Sequence, residues 1–143
     1  MELEQLSIFL ENKKGSLHKA LEVLSEGDVN IRALSLADTS DFGILRVVVD
    51  DPKKGKKLLE DNDFIVKITN IVAIELDDSP GGLSSVLAIL KNNDIDLEYL
   101  YAFTHDKINK AILLLHTDDI NKLIVTLNEN NVTIVPSKEV YNL

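Results

Sequence analysis

The sequence predicts an α+β fold of two tandem βαββαβ units, each an antiparallel four-stranded sheet with two helices on one face. Three observations support this prediction. The length of 143 residues corresponds to one domain or two very small ones. A pattern in the first half recurs 66 residues later in the second half. Each copy also alternates strand-like and helix-like hydrophobic periods in the same order.

The repeat is clearest around the first predicted helix of each copy. Identical residues recur there in one register: Gly15, Leu17, Leu21, Leu24 and Asp28 return as Gly81, Leu83, Leu87, Leu90 and Asp94. Similar polar, glycine-containing segments precede both helices. Matches in one register, flanked by the same kind of loop, indicate an internal duplication.

The first strand and first helix of each copy follow from their periods. Leu6, Ile8 and Leu10 alternate along one strand face, and residues 71–76 occupy the same place in the second copy. Apolar residues at i, i+3, i+4 and i+7 then predict a helix with one buried face. The leucines expected to be buried are Leu17, Leu21, Leu24, Leu83, Leu87 and Leu90.

A β-hairpin follows each first helix. In the first copy its strands are predicted at residues 29–36 and 42–49, separated by a turn-rich stretch at 38–41. In the second copy they are predicted at 95–103 and 108–115, separated by residues 105–107. Both separators are short enough to join antiparallel neighbours.

A second helix and a final strand complete each copy. The helix is weak at residues 53–60, where Gly55 interrupts it, and clearer in the second copy, where Asp118 or Asp119 provides the cap. Final strands are predicted at 64–68 and 132–135. This order is the ferredoxin-like arrangement. Only Thr69 and Asn70 separate the copies, so we expect units at 1–69 and 70–143 that pack as one body.

Composition excludes several classes of protein. The formal net charge of −9 disfavours binding to nucleic acid, and the one basic run, at residues 52–57, contains no aromatic residue to stack on bases. Cysteine is absent, and the three histidines lack metal-ligand spacing, so no metal site is expected. The N-terminus lacks the features of a signal peptide, and no apolar run reaches the length of a membrane span. We therefore expect a cytoplasmic protein that binds neither membrane nor nucleic acid.

The strand–loop–helix passages resemble the ACT domain, a small ligand-binding module of amino-acid metabolism. Its loop has Asn or Asp, one residue, Pro-Gly, a variable residue and an aliphatic residue. Asp78, Pro80, Gly81 and Leu83 match this pattern. In the first copy Asn12, Gly15 and Leu17 match, but Lys14 replaces the proline. The Asn-Ile expected after the first helix is present as Asn30-Ile31, whereas the second copy has Asp96-Leu97. The resemblance covers the whole chain as two tandem copies.

This resemblance implies a site where two modules meet. Close-approach glycines and free helix N–H groups suit a carboxylate, and a side-chain oxygen suits an ammonium group. The carboxylate would lie on the backbone of the loop, the ammonium near Asn12 or Asp78, and Asn30 or Asp96 would come from the opposite module. The predicted ligand-binding residues are Asn12, Gly15, Ser16, Leu17, Asn30, Asp78, Gly81, Gly82, Leu83 and Asp96.

Structural roles are open for the same residues. Asn12 and Asp78 can be helix caps, Asn30 and Asp96 turn or strand-start residues, and the two glycines turn residues only. Separately, Tyr99, Tyr101 and Phe103 share one strand face. That face can serve core or dimer packing, or it can form a pocket wall beside Asp96.

The resemblance implies a non-catalytic sensor that binds a free amino acid and forms a homodimer, with no cofactor. The alternative is a regulatory subunit of an amino-acid biosynthetic enzyme, such as the small subunit of acetolactate synthase, which also begins with an ACT domain. That subunit generally continues into a different domain, whereas here the second half is another copy. A small enzyme is the third hypothesis, and the absence of any nucleophile motif argues against it.

Overall fold

The computed structural model of the protein describes residues 2–38, 42–105 and 110–143. The predicted turns at 38–41 and 105–107 lie mostly outside these residues. The helices are α1 (Ser16–Glu26), α2 (Pro52–Asp61), α3 (Gly82–Asn92), α4 (Ile120–Glu129) and α5 (Ser137–Tyr141). The strands are β1 (Leu3–Glu11), β2 (Ile31–Asp38), β3 (Phe42–Val49), β4 (Ile65–Leu76), β5 (Leu97–His105), β6 (Lys110–Thr117) and β7 (Ile134–Val135).

The chain divides into two compact units, and β4 runs from one into the other. The first-repeat unit contains residues 4–69 and 140–143, and the second-repeat unit contains residues 70–139 together with residues 2–3. Strand order is β2-β3-β1-β4 in the first, and β5-β6-β4-β7 in the second. The pairs β1–β3, β2–β3, β4–β6, β4–β7 and β5–β6 are antiparallel. The predicted α+β fold of two βαββαβ units is confirmed.

The core of the first-repeat unit lies between its sheet and the helices α1 and α2. Leu24 is fully buried there, while Leu17 and Leu21 are half-buried and pack against the cluster. Other buried members come from β1, β3 and β4, from both helices and from the segment before β2: Leu6, Ile8, Leu10, Ala20, Val23, Val29, Leu45, Val47, Val49, Leu59 and Val66. The predicted apolar face of α1 therefore faces the sheet.

The second-repeat unit has an equivalent core beneath α3 and α4. Leu90 is buried and Leu87 packs against the cluster as a half-buried side chain. The expectation for Leu83 is wrong, because this side chain is 40% exposed. Leu83 lies in the first turn of α3, outside the cluster that the later turns form with the sheet. Helical periodicity identifies the face of a side chain but not how far the sheet extends beneath it.

Two other predictions needed correction. Helix α2 runs through Gly55 without a break, because this residue is buried where the helix packs on the sheet. A Cβ atom at Gly55 would lie 3.1 Å from Leu6 Cδ1 and 3.4 Å from Leu24 Cδ2, so glycine allows the close approach. The final strand β7 has two residues rather than four, and the unpredicted helix α5 follows it.

The last residues of the chain pack within the first-repeat unit. The backbone N–H of Glu4 donates to the hydroxyl of Tyr141 over 2.8 Å, and Arg32 Nε donates to the Tyr141 carbonyl over 2.9 Å. Burial raises the pKa of the Tyr141 hydroxyl. Val140, beside it, is fully buried. The first repeat is therefore completed by residues from the far end of the sequence.

Candidate functional site

The loops that precede α1 and α3 have the same backbone conformation. The N–H of Lys13 donates to the Glu11 carbonyl, and the N–H of Ser79 donates to the Asp77 carbonyl, each over 2.8 Å. Each loop then reaches a glycine in the left-handed region, Gly15 at φ 88° and Gly81 at φ 89°. A side chain is strained there, which explains the glycine in both copies. Lysine in place of the family's proline leaves this loop unchanged.

Neither of these helices has a side-chain cap. Gly15 and Gly81 are the N-cap residues of α1 and α3, and within the described residues neither helix has a side-chain cap hydrogen bond. By contrast, Asp51 accepts from the N–H of Lys54 at the start of α2 over 3.2 Å. Asp119 caps α4 in the same way over 3.0 Å, as predicted. The alternative that Asn12 and Asp78 are helix caps is therefore wrong.

A cavity of 390 Å³, which we call the first-repeat cleft, opens beside the first loop. Its volume falls in the range of about 300–1,000 Å³ that is usual for small-molecule sites. The predicted residues Gly15 and Ser16 line it. The other lining residues come from β1, the loop itself, α1, the segment after α2 and the start of β4: Phe9, Glu11, Lys13, Lys14, Lys19, Asn62, Asp63, Phe64 and Ile65.

The first-repeat cleft carries both charged and aromatic groups. Lys13 Nζ lies 2.9 Å from a Glu11 carboxylate oxygen, and this hydrogen bond and the charge of Lys13 lower the pKa of Glu11. Lys19 Nζ lies 5.9 Å from the centroid of the Phe64 ring, within the range of a cation–π contact. The cleft therefore places ammonium groups and an apolar wall beside the helix start.

A second, smaller cavity also adjoins the same loop. It has a volume of 180 Å³ and is lined by Asn12, Ser16 and Leu17 together with residues of β1, β2 and β3. The loop therefore contributes residues to two cavities. Of the predicted residues, Gly15 lines the larger cavity, Asn12 and Leu17 line the smaller one, and Ser16 lines both.

The second repeat has an equivalent cavity of 450 Å³, the second-repeat cleft, lined by Gly81 and Gly82. A Cβ atom at Gly82 would lie 2.6 Å from the backbone oxygen of Asp77, so a side chain there would require the local backbone to shift. The equivalent residue of the first repeat is Ser16. Ser85 Oγ donates to the Gly81 carbonyl over 2.8 Å. The predicted residues Asp78 and Leu83 do not line this cavity.

Asn30 and Asp96 lie far from the loop of their own unit. Asn30 follows α1, whose 11 residues span about 16 Å, so it stands at the opposite end of the helix from Gly15. Its N–H donates to Asp50 Oδ1 over 3.0 Å. Asp96 lines a 220 Å³ cavity with Asp94, Asp118 and Asp119. A single unit therefore does not bring Asn12 together with Asn30, or Asp78 together with Asp96.

The aromatic face of β5 borders none of these cavities. Tyr101 is buried, and the Tyr99 ring stacks on His116 with the ring centroids 5.0 Å apart. His116 contacts the Asn70 carbonyl through Nδ1 at 2.9 Å and Glu98 through Nε2 at 3.1 Å. A hydrogen bond to the Asp118 carboxyl raises the pKa of Glu98. In the described part of the chain, no group of acidic or histidine side chains could hold a metal ion.

The lysines of the first-repeat cleft and the segment between α2 and β4 were not among the predicted site residues. Part of this segment could have been found from the repeat, because Asn62-Asp63 after α2 corresponds to Asn130-Asn131 after α4. The offset between these pairs is 68 residues, two more than around the first helices. Asp63 and Asn131 both adopt positive φ, and both line the cleft of their own repeat. Lys19 follows Gly15 by one helical turn, which places it beyond the loop motif itself.

Comparison with known proteins agrees with this architecture. A crystal structure of a protein from Bacteroides thetaiotaomicron matches with a TM-score of 0.93 and 40% identity, over 100% of this chain and 98% of that one. The regulatory subunit of aspartate kinase from Thermus thermophilus matches with a TM-score of 0.62 and 11% identity, over 88% and 91% of the chains. The corresponding subunit from Thermus flavus matches with a TM-score of 0.61 and 12% identity, over 90% and 92%. These last two similarities concern the fold.

No curated protein matches the chain. Within residues 2–38, 42–105 and 110–143, no helix is long and apolar enough to cross a membrane. The model of a family described as an ACT domain pair matches residues 1–143, the entire sequence. Two βαββαβ copies, each with a glycine-started first helix, provide the structural counterpart of that match. The chain therefore belongs to the ACT domain pair family.

Proposed function

We propose that this protein is a non-catalytic regulatory protein that binds a free amino acid at its β1–α1 and β4–α3 loops. The observation that carries the proposal is the contrast between the helices. The two helices beside the large clefts lack a side-chain cap, whereas α2 and α4 are both capped by aspartate. Uncapped N–H groups at a helix start are partners for a carboxylate, and the helix dipole favours the same charge.

The remaining contacts follow from the same loops. The α-carboxylate would lie on the backbone around Gly15-Ser16-Leu17 or Gly81-Gly82-Leu83, and Asn12 or Asp78 would accept from the ammonium group. Asn30 or Asp96 would come from an opposite module. Residues 33–35 or 99–101 would border the ligand side chain. Because single units keep the members of each pair apart, this part of the proposal requires two modules to meet.

The signal would reach a partner through a change in association. Leu34 and Leu36 are 47% and 49% exposed on β2, which is an edge strand of the first-repeat unit. We propose that the protein is a cytoplasmic homodimer, and such an apolar edge favours pairing with a second copy. Light scattering that finds only the 15.9 kDa monomer at high concentration would contradict the dimer.

The alternative function is that of a regulatory subunit of an amino-acid biosynthetic enzyme. The fold shared with the aspartate kinase regulatory subunits is the observation that favours it. A regulatory subunit would co-purify with a large catalytic chain, whereas a stand-alone sensor would not. Turnover by the isolated protein would contradict both functions.

Thermal unfolding in the presence of each of the twenty amino acids tests the proposal directly. A ligand that binds only the folded protein raises the unfolding midpoint. Once a ligand is identified, Asn12→Ala and Asp78→Ala should weaken binding about tenfold to a hundredfold, because each removes a hydrogen bond to a charged group. Asp78 does not cap α3, so the fold of Asp78→Ala should be unaffected. Unchanged affinity in both variants would place the ligand elsewhere.

A further inference from the structure

The two clefts occupy equivalent places in the repeat but carry different charges. The first-repeat cleft is lined by Lys13, Lys14 and Lys19 and by two carboxylates, although the whole chain carries a net charge of −9. In the second-repeat cleft, Ser79, Pro80 and Ser85 occupy the positions of these lysines. Three cations have therefore been gained or lost around a loop whose backbone is conserved between the copies.

Two of the three lysines are available to a ligand. Lys13 is already paired with Glu11. Among the residues that the structure describes, neither Lys14 nor Lys19 forms an ion pair. Lys19 instead lies over the Phe64 ring, and its backbone N–H donates to the Gly15 carbonyl over 3.0 Å. An uncompensated ammonium group therefore lies one helical turn from the loop.

The apolar wall beside these lysines is also specific to the first repeat. Phe64 and Ile65 line the first-repeat cleft, and Ile65 is 70% exposed. The corresponding residues of the second-repeat cleft are Val132 and Thr133. An exposed apolar wall next to a cation fits a ligand with a short aliphatic segment that ends in a negative charge.

The second-repeat cleft offers no such combination. Its one lysine, Lys110, lies 3.5 Å from the carboxylate of Glu75, and Asp77 adds a further negative charge. The Ser85 hydroxyl is engaged with the Gly81 carbonyl. A second carboxylate entering this cleft would meet two acidic side chains and a single, already paired cation.

We infer that the first-repeat cleft selects an acidic amino acid, aspartate or glutamate, and that the second-repeat cleft does not bind it. This inference rests on the proposed function for the α-carboxylate and the ammonium group, which stay at the loop. For an acidic ligand at the first repeat, the walls of the first-repeat cleft take the place of residues 33–35 as the surroundings of the ligand side chain. The side-chain carboxylate then lies between Lys14 and Lys19, and its methylene groups pack on Phe64 and Ile65. The charge of the ligand side chain is thus recognised by lysines that only the first repeat has, and not by the glycine loop that both copies share.

Isothermal titration calorimetry with aspartate, glutamate, asparagine and glutamine tests the inference, because each amide is nearly isosteric with its acid. We expect the acids to bind at least about tenfold more tightly than the amides, and with one site per chain. Lys19→Ser, which installs the residue of the second repeat, should weaken binding of the acids about tenfold and leave the amides unaffected. Added salt should weaken the acids selectively.

Lys53→Ser is the matched control, because it removes an exposed lysine of α2 that lines none of the four cavities. It should leave the affinity for the acids unchanged. Equal binding of acids and amides, or no effect of Lys19→Ser, would overturn the charge selection. Binding of a neutral amino acid alone would also overturn it while leaving the proposed function intact. If none of the twenty amino acids binds, the proposed function itself fails.

Discussion

The two repeats share the backbone conformation of the loop before their first helix and differ in the side chains around that loop. Both begin their first helix after a left-handed glycine, with matching hydrogen bonds at Lys13 and Ser79. One turn later, the equivalent residues are Lys19 and Ser85, a charged side chain in one repeat and a neutral hydroxyl in the other. The comparison shows that the constraint of the loop falls on main-chain geometry, which a few glycines satisfy. The residues that set charge are free to change after duplication.

A second contrast lies on the sheet face away from the helices. In the first repeat, Gln5 Nε2 donates to Ser7 Oγ over 3.0 Å, and Ser7 Oγ lies 3.1 Å from Thr69 Oγ1. Gln5 is fully buried. The equivalent residues of the second repeat, Ile71 and Ala73, are buried and apolar. The same strand position therefore accepts a satisfied polar network in one copy and an apolar surface in the other.

The largest expected effect tests whether the two cores are energetically equivalent. Leu24→Ala and Leu90→Ala should each lower the free energy of unfolding by about 2–5 kcal/mol, because each removes a buried side chain at the same place in the repeat. Chemical denaturation provides the measurement. Leu83→Ala is the control and should change stability by less than about 0.5 kcal/mol, since Leu83 is exposed. An equally large loss at Leu83 would contradict the assigned cores.

Alanine at the two left-handed glycines should have the next largest effect. Gly15→Ala and Gly81→Ala should each destabilise the fold by about 1–2 kcal/mol, because a side chain strains the backbone at this φ. A Cβ atom would have no neighbour within 4 Å at either site, so conformational strain alone is responsible. Losses in thermal or chemical unfolding that differ greatly between the two variants would show that the loops are not equivalent.

Removing the aspartate caps should have a smaller effect that separates the two kinds of helix. Asp51→Ala and Asp119→Ala should each cost about 1 kcal/mol of stability, since each removes a side-chain bond to the helix N–H groups. Asp78→Ala should cost less than about 0.5 kcal/mol, because Asp78 does not cap α3. Equal losses in all three variants would restore the capping alternative for Asp78.

The smallest expected effect concerns a group that only the second repeat contains. The raised pKa of Glu98 means that the folded state holds a proton more readily than the unfolded state. The unfolding free energy should therefore decrease as pH rises from the ordinary glutamate value of 4.5 to the raised one. Glu98→Gln should flatten this part of the pH profile in chemical denaturation. An unchanged profile would contradict the shared proton with Asp118.

Sequence periodicity predicted the fold well because both repeats bury one helix face against a sheet. The strand Phe42–Val49 has the predicted bounds, and the cap of α4 is Asp119, one of the two residues predicted for it. The predicted interruption of α2 at Gly55 was wrong because glycine is needed there for a close tertiary contact with Leu6 and Leu24. A local sequence pattern contains no information about that contact. Helix α5 and the contacts of Tyr141 were not predicted, because they too depend on tertiary packing.

The candidate site was predicted in part. Gly15, Ser16, Gly81 and Gly82 line the large clefts, because local backbone chemistry specifies the loop. Lys19 was not predicted, since its position depends on the helix turn that carries it. Phe64 comes from a segment almost fifty residues away in sequence. Residues that converge only through packing leave no signature of fixed spacing.

The packing of residues 140–143 within the first-repeat unit has an evolutionary consequence. Tyr141, at the end of the second copy, bonds to Glu4 and Arg32 of the first-repeat unit. A gene duplication initially leaves two copies that are each dispensable, and loss of either restores the ancestor. Once the first copy depends on residues from the far end of the chain, a deletion that removes the second copy also damages the first. The tandem arrangement is then retained by selection for folding, which gives the side chains around the two clefts time to diverge.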